Sequence, residues 1–255
     1  MNTWWQLSKK EFRLGLPAFL FTLIGLVAVL TLAFYLGTRA GSGDHEGLQA
    51  VKAASLLLIT AHVLYLLCYM VYSLQSERKK LHLWLASPLP GSVLLSAKLA
   101  NGLLAMTVTL SISSAVGLIT TALLHDLPKG YTWGTLFANG GFIILNIYLM
   151  SIFFALCFVF FWMIYRMLLR RLGGITSGVI TGLFAWLLSY LTNLFEKTEL
   201  YHAIVRWGKI SSPSILNQTG ISSGHIYLGV YIWYTGIAVV LFAASCWILD
   251  KKVEV

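Results

Sequence analysis

Charge is scarce in this sequence. Of its 255 residues only 11% are Asp, Glu, Lys or Arg, where a soluble domain carries roughly 25%. Acids are the rarer sign, 9 against 18 Lys plus Arg, which leaves a net charge of +9. So few charges cannot solvate a water-soluble enzyme core or keep a chain disordered. Cysteine is scarce too. Cys68, Cys157 and Cys246 each sit inside an apolar run, with no CxxC or Cys/His spacing. That excludes a disulfide-stapled scaffold and gives no zinc pattern. The phosphate-loop pattern G-x-x-x-x-G-K-[ST] is missing as well. Gly208-Lys209 comes nearest and has no upstream glycine at the required distance. Any ATP hydrolysis has to come from another chain.

What the sequence has instead is apolar length. Hydrophobic residues make up 58% of it. Uncharged stretches run from Arg13 to Arg39, Lys52 to Glu77, Lys98 to Asp126, Lys129 to Arg166, Arg171 to Glu196 and Lys209 to Asp250. Trimmed at turn residues, they predict helices near 16–36, 53–74, 99–124, 138–165, 173–195 and 226–249. Each meets the roughly 20 residues that a bilayer crossing needs. A β-barrel would alternate over about ten residues per strand, and continuous runs such as Phe153 to Phe161 argue against that. The expected fold is an all-α integral membrane protein, one transmembrane domain over residues 1–255 with six spans. Met1 to Pro17 does not read as a cleavable signal, because its bases follow a Trp pair and the apolar run behind them is too long.

Six spans put both termini on one side, and the basic residues choose the cytoplasm. That side then holds 12 bases: Lys9, Lys10, Arg13, Arg78, Lys79, Lys80, Lys98, Arg166, Arg170, Arg171, Lys251 and Lys252. The outside holds 6: Arg39, Lys52, Lys129, Lys197, Arg206 and Lys209. Scattered over short segments at the bilayer edge, these charges fit a topology signal and no nucleic-acid partner. As delimited, no span carries an Asp, Glu, Lys or Arg well inside it. Ion-driven transporters and voltage sensors keep such groups at mid-membrane. His62 is the one titratable candidate, and a packed or hydrogen-bonded histidine is the expected reading.

One cytoplasmic connection is organised. Glu77-Arg78-Lys79-Lys80-Leu81-His82-Leu83-Trp84-Leu85, after Ser76, fits a short helix, charged first and apolar after. Ser87-Pro88-Leu89-Pro90-Gly91 has to turn, since Pro88 and Pro90 fix φ and remove donors. Lys98 follows. Upstream, Thr3 to Leu16 reads as a helix lying in the interface. Trp4, Trp5, Leu7, Phe12 and Leu16 would face lipid, Lys9, Lys10 and Arg13 would face headgroups, and Pro17 would end it.

This loop resembles that of the permeases of ABC-2 type transporters. There an acid, bases, small residues and a Leu-Ser-Leu-Pro-Val turn precede a lysine. The resemblance covers about 20 residues in motif and the whole chain in layout. Leu81-His82-Leu83-Trp84 departs from the small residues common at that point. The resemblance implies that Glu77, Arg78, Lys79, Lys80, Leu81, His82, Trp84, Pro88 and Pro90 form a coupling helix that docks on a soluble ABC ATPase. That subunit would bind ATP and Mg, and this chain would hold no cofactor. The interfacial helix would touch the ATPase too, and short re-entrant helices in the outer segment Glu196 to His225 would cap the exit.

Within the spans, Gly174, Gly178 and Gly182 form a small-xxx-small ridge at i+4 spacing, suited to packing inside one subunit or between two. The third span is rich in hydroxyls, among them Thr107, Thr109, Ser111, Ser113 and Ser114. The fourth is dense in aromatics, which more often pack than bind substrate. A route lined by apolar, aromatic and hydroxyl groups suits a hydrophobic or amphipathic cargo. Gly220-Ile221-Ser222-Ser223-Gly224 matches G-x-S-x-G, but the strand–turn–helix context and acid partner of a nucleophile elbow are missing from the sequence. The chain itself is therefore expected to be no enzyme.

The expected function is the permease subunit of an ATP-driven exporter in a bacterial plasma membrane. It would work as a dimer with a second copy or paralogue and move a peptide, antibiotic or lipid-like compound outward. The alternative is a membrane scaffold or immunity protein that transports nothing.

Overall fold

The computed structural model describes residues 3–41, 43–76, 90–127, 132–210 and 226–251. It is helical, with six helical stretches long and apolar enough to cross a membrane. Helix α1 spans Thr3–Ala40. Helices α2 (Asp44–Ala61) and α3 (Tyr65–Ser76) are joined through a 3₁₀ turn, His62–Leu64, into one crossing. Then follow α4 (Gly91–Leu123), α5 (Trp133–Leu172), α6 (Gly174–Glu196), the short α7 (Glu199–Val205) and α8 (Leu228–Lys251). The one departure from an all-α plan among the described residues is a pair of two-residue strands, β1 (Lys209–Ile210) and β2 (Ile226–Tyr227). They run antiparallel and bracket residues 211–225. Gly208 turns into β1 at φ 68°, a left-handed backbone that glycine adopts without strain, and its carbonyl accepts the Leu228 amide at 2.9 Å.

Several helices outrun the bilayer. The 38 residues of α1 and 40 of α5 correspond to about 57 and 60 Å at 1.5 Å per residue, against roughly 30 Å of hydrocarbon. The expected interruption at Pro17 does not occur, and α1 runs through it. The proline removes one backbone donor, but a helix in an apolar surrounding keeps every other main-chain bond, and breaking the helix outright would free more. The same economy governs the hydroxyls. Thr22, Thr31, Thr60, Thr107, Thr109, Ser113, Thr181 and Ser245 each donate to a carbonyl one turn back in their own helix.

The chain divides into two compact units, one from residues 1–84 and 93–151, the other from 85–92 and 152–255. In the first, Leu66, Met70, Leu95, Ala97, Met106 and Leu110 are buried together with Tyr69. Tyr69 is accommodated by absent side chains. A Cβ on Gly102 would fall 2.6 Å from Leu66 and 2.7 Å from the Tyr69 ring, and one on Gly15 would strike the Tyr69 ring and hydroxyl. In the second unit aromatic rings pack edge to face, Phe153 on Tyr234 at 5.5 Å and Phe161 on Phe184 at 6.4 Å. Large apolar side chains such as Phe21, Ile24, Ile175 and Trp186 stand open. Water would penalise such surfaces, and lipid accommodates them. This is the architecture of a multi-pass membrane protein.

Candidate functional site

The site residues expected from sequence fall into three groups, which the structure treats differently. Glu77, Arg78, Lys79, Lys80, Leu81, His82, Trp84 and Pro88 lie outside the described residues. Pro90, just before α4, is exposed. What can be built is the footing of this loop, namely the end of α3 at Ser76 and the start of α4 at Gly91.

The α4 root is fixed by an anion. The Gly91 amide donates to Asp250 Oδ1 at 2.7 Å. A carboxylate is at home there, because the first turn of a helix exposes unpaired N–H groups and positive dipole. Asp250, which in the sequence only bounds the last apolar stretch, thus ties the C-terminal helix to the end of the loop. Gly91 has to be small, since a Cβ would meet Asp250 at 2.8 Å and Leu249 at 2.9 Å.

In the other unit stands the feature that the sequence reading missed. Lys98, placed at the bilayer edge as a topology charge, is buried within α4. Its Nζ lies 2.6 Å from Glu11 Oε2, with side-chain exposures of 0% and 2%. Lys98 Nζ also donates to Ser73 Oγ at 3.1 Å. One turn along, Asn101 Nδ2 donates to the Ser8 carbonyl and to Ser8 Oγ, both at 3.2 Å. Lys98 and Glu11 lie within the long helices α4 and α1 but ahead of the spans delimited from the sequence, 99–124 and 16–36, which hold no Asp, Glu, Lys or Arg. Three elements supply the cluster, with Ser8 and Glu11 from α1, Ser73 from the last turn of α3, and Lys98 and Asn101 from α4.

This arrangement also corrects the faces of the amino-terminal helix. Leu7, Ser8, Glu11 and Gly15 point into the protein, so Leu7 is not lipid-facing. Lys9, Lys10 and Arg13 are exposed, and Phe12 stands 50% exposed beside them. The side chains of Trp4 and Trp5 lie outside the described residues. The helix does not stop to lie in the interface; it continues as the first span.

The glycine ridge engages nothing in its own unit. No atom among the described residues comes within 4 Å of a Cβ built on Gly178 or Gly182, and Gly174 meets only the tips of Leu169 and Tyr165 at 3.8 and 3.9 Å.

Further along the crossing formed by α2 and α3, His62 is fully engaged. Its Nδ1 lies 2.6 Å from the Leu58 carbonyl and its Nε2 lies 3.1 Å from Thr109 Oγ1, while the ring stacks on Tyr65 at 5.6 Å. The 3₁₀ turn at His62–Leu64 leaves the Leu66 amide to Ser151 Oγ, at 3.3 Å. At the other end of these helices, Lys52 Nζ reaches Asp126 Oδ2 at 2.8 Å, and this neighbouring ammonium holds the Asp126 carboxyl below its usual value. Near α7, Tyr234 donates to Glu196 Oε1 at 3.0 Å. Tyr201 lies against Phe195 and Trp233, and burial, with the Glu196 charge, pushes its phenol up. The G-x-S-x-G match at Gly220–Gly224 lies outside the described residues. Among the described residues no group of three or more His, Cys, Asp or Glu could hold a metal ion. No known protein family, curated protein or solved structure matches this chain.

Proposed function

We propose that this chain is the permease subunit of an ATP-driven exporter of the ABC-2 type, with both termini in the cytoplasm and residues 77–91 as the coupling segment. The observation that carries the reading is the combination of six apolar crossings with one charged connection in the sequence, followed by a helix whose first amide is capped by Asp250. Ser76 and Gly91 end long helices, Asp250 caps the second of them, and a buried ion pair lies just beyond it. A docking loop has to transmit force, and rigid roots are what that requires. The sequence has no phosphate loop, so energy would come from a soluble ATPase binding ATP and Mg. Two permeases, identical or related, would enclose the route. A cargo that is amphipathic or hydrophobic fits the hydroxyl and aromatic side chains of α4 and α5.

The test is purification of the tagged chain in mild detergent with mass spectrometry of what accompanies it. The expected outcome is a stoichiometric ATPase carrying a phosphate loop. Replacing Glu77 or Trp84 is expected to weaken that association while leaving membrane insertion intact. A chain that purifies without any such subunit, from membranes in which its neighbouring genes are expressed, points to the scaffold reading instead.

A further inference from the structure

We infer that Glu11, Lys98 and Ser73 form a clasp that makes the amino-terminal segment move with the roots of the 77–91 loop, so that a partner gripping the loop also drives the start of α1. The inference rests on the exporter reading above. It starts from position. Ser73 lies in the last turn before the loop, and Lys98 lies about two turns after it. Glu11 comes from another helix, yet its carboxylate meets the same ammonium that Ser73 does, at 2.6 and 3.1 Å. One cation therefore holds both sides of the loop and the amino-terminal segment at once.

A second tie acts beside the first. Asn101 is anchored by its own helix through Ala97 O at 2.9 Å and grips the Ser8 backbone at 3.2 Å. Ser8 and Glu11 share a face of α1, and Lys98 and Asn101 share a face of α4, so the two ties resist rotation as well as separation. The chemistry favours a tether of this kind. An ion pair shielded from water is electrostatically stronger than one at a surface, and separating it takes from each charge the counter-ion it faces at 2.6 Å. The exposed side of the same segment carries Lys9, Lys10 and Arg13, so movement of Glu11 would shift these cations against the headgroups. Glu11, Ser73 and Lys98 are thus positioning residues for coupling.

The experiment uses the purified complex in lipid nanodiscs, with Cys68, Cys157 and Cys246 replaced by alanine. An environment-sensitive fluorophore is placed either at Lys10→Cys or at His82→Cys, and ATP with Mg is added. In the parent both reporters are expected to respond. In Glu11→Gln and Lys98→Met the loop reporter is expected to keep its response while the amino-terminal one falls several-fold. The charge swap Glu11→Lys with Lys98→Glu is expected to restore it, since Ser73 can donate to a carboxylate there. An undiminished amino-terminal response in both single variants overturns the clasp and leaves the exporter reading standing. If the single variants do not insert, the swap decides alone, and a folded swap whose amino-terminal reporter is silent overturns the clasp. Failure to recover any phosphate-loop ATPase overturns the exporter reading and the clasp with it.

Discussion

Lys98 shows how much a single side chain can hide in a sequence. Flanked by Ala97 and Leu99, it reads as the last charge before a span, yet it is fully buried against Glu11. Removing one partner of such a pair takes the facing counter-charge away from a group that stays buried. Lys98→Met is therefore expected to destabilise the chain by about 3–5 kcal/mol, whereas Glu11→Leu combined with Lys98→Met returns close to the parent, because an apolar pair carries no desolvation cost. Thermal unfolding in detergent, followed by tryptophan fluorescence, checks both, and equal losses in the single and double variants would refute the pairing. The signal for this contact was present in the sequence only faintly. Glu11 is the sole acid among Lys9, Lys10 and Arg13, and it recurs with Leu7, Ser8 and Gly15 on one helical face. The partner could not be read, because 87 residues separate the two and periodicity describes one helix at a time.

At the scale of elements, the six crossings were legible because apolar length is a local property. Their ends were not. Pro17 and the run from Gly91 to Lys98 read as boundaries, but both lie within helices, since a helix near lipid gains by continuing. The 3₁₀ turn at His62–Leu64 had no counterpart in the reading either, as its compensation, the Ser151 hydroxyl on the Leu66 amide, comes from a distant helix. Glycines were legible as a class, and their close contacts were not. Gly102, in a run that drew no attention, is a tight contact, and among the described residues nothing comes within 4 Å of a Cβ on Gly178 or Gly182. Gly102→Leu is accordingly expected to cost about 1–3 kcal/mol by overpacking, while Gly178→Leu stays within about 0.5 kcal/mol for the isolated chain. Thermal shifts of the two variants check this. A change in oligomeric size confined to Gly178→Leu would show a second copy seated on α6.

The link between α2 and the end of α4 yields a pH prediction at the same scale. The folded pKa of Asp126 is depressed by Lys52. Its contribution to stability is thus complete above the ordinary carboxyl value of 3.8 and is lost as pH falls through the lower folded value. Between neutral pH and pH 5, Asp126→Asn is expected to show a constant difference from the parent. A difference that vanishes well above the ordinary value would contradict the pairing.

For the whole molecule, the charge distribution and the six crossings together fix an expected orientation. Single cysteines placed at Lys80 and Lys251 are expected to react with a membrane-impermeant maleimide only after the cells are opened, and cysteines at Arg39 and Lys129 in intact cells. The reverse pattern would invert the topology and remove residues 77–91 from the reach of a cytoplasmic ATPase. The loop whose chemistry suggested a function lies largely outside the described residues, so the fold was more legible than the site. The structure contributes the loop's footing, which no motif encodes, because Asp250 and Gly91 are brought together only by the finished fold.

The buried pair also orders the making of the protein. Glu11 leaves the ribosome 87 residues ahead of Lys98, so the first two crossings enter the membrane while the glutamate has no Lys98 to meet. The pair cannot close until α4 has emerged. Closing the base of α1 is therefore a late step of biogenesis. A ribosome stalled before Lys98 would leave an amino-terminal segment still open to proteases at a stage when the first two spans are already in the bilayer.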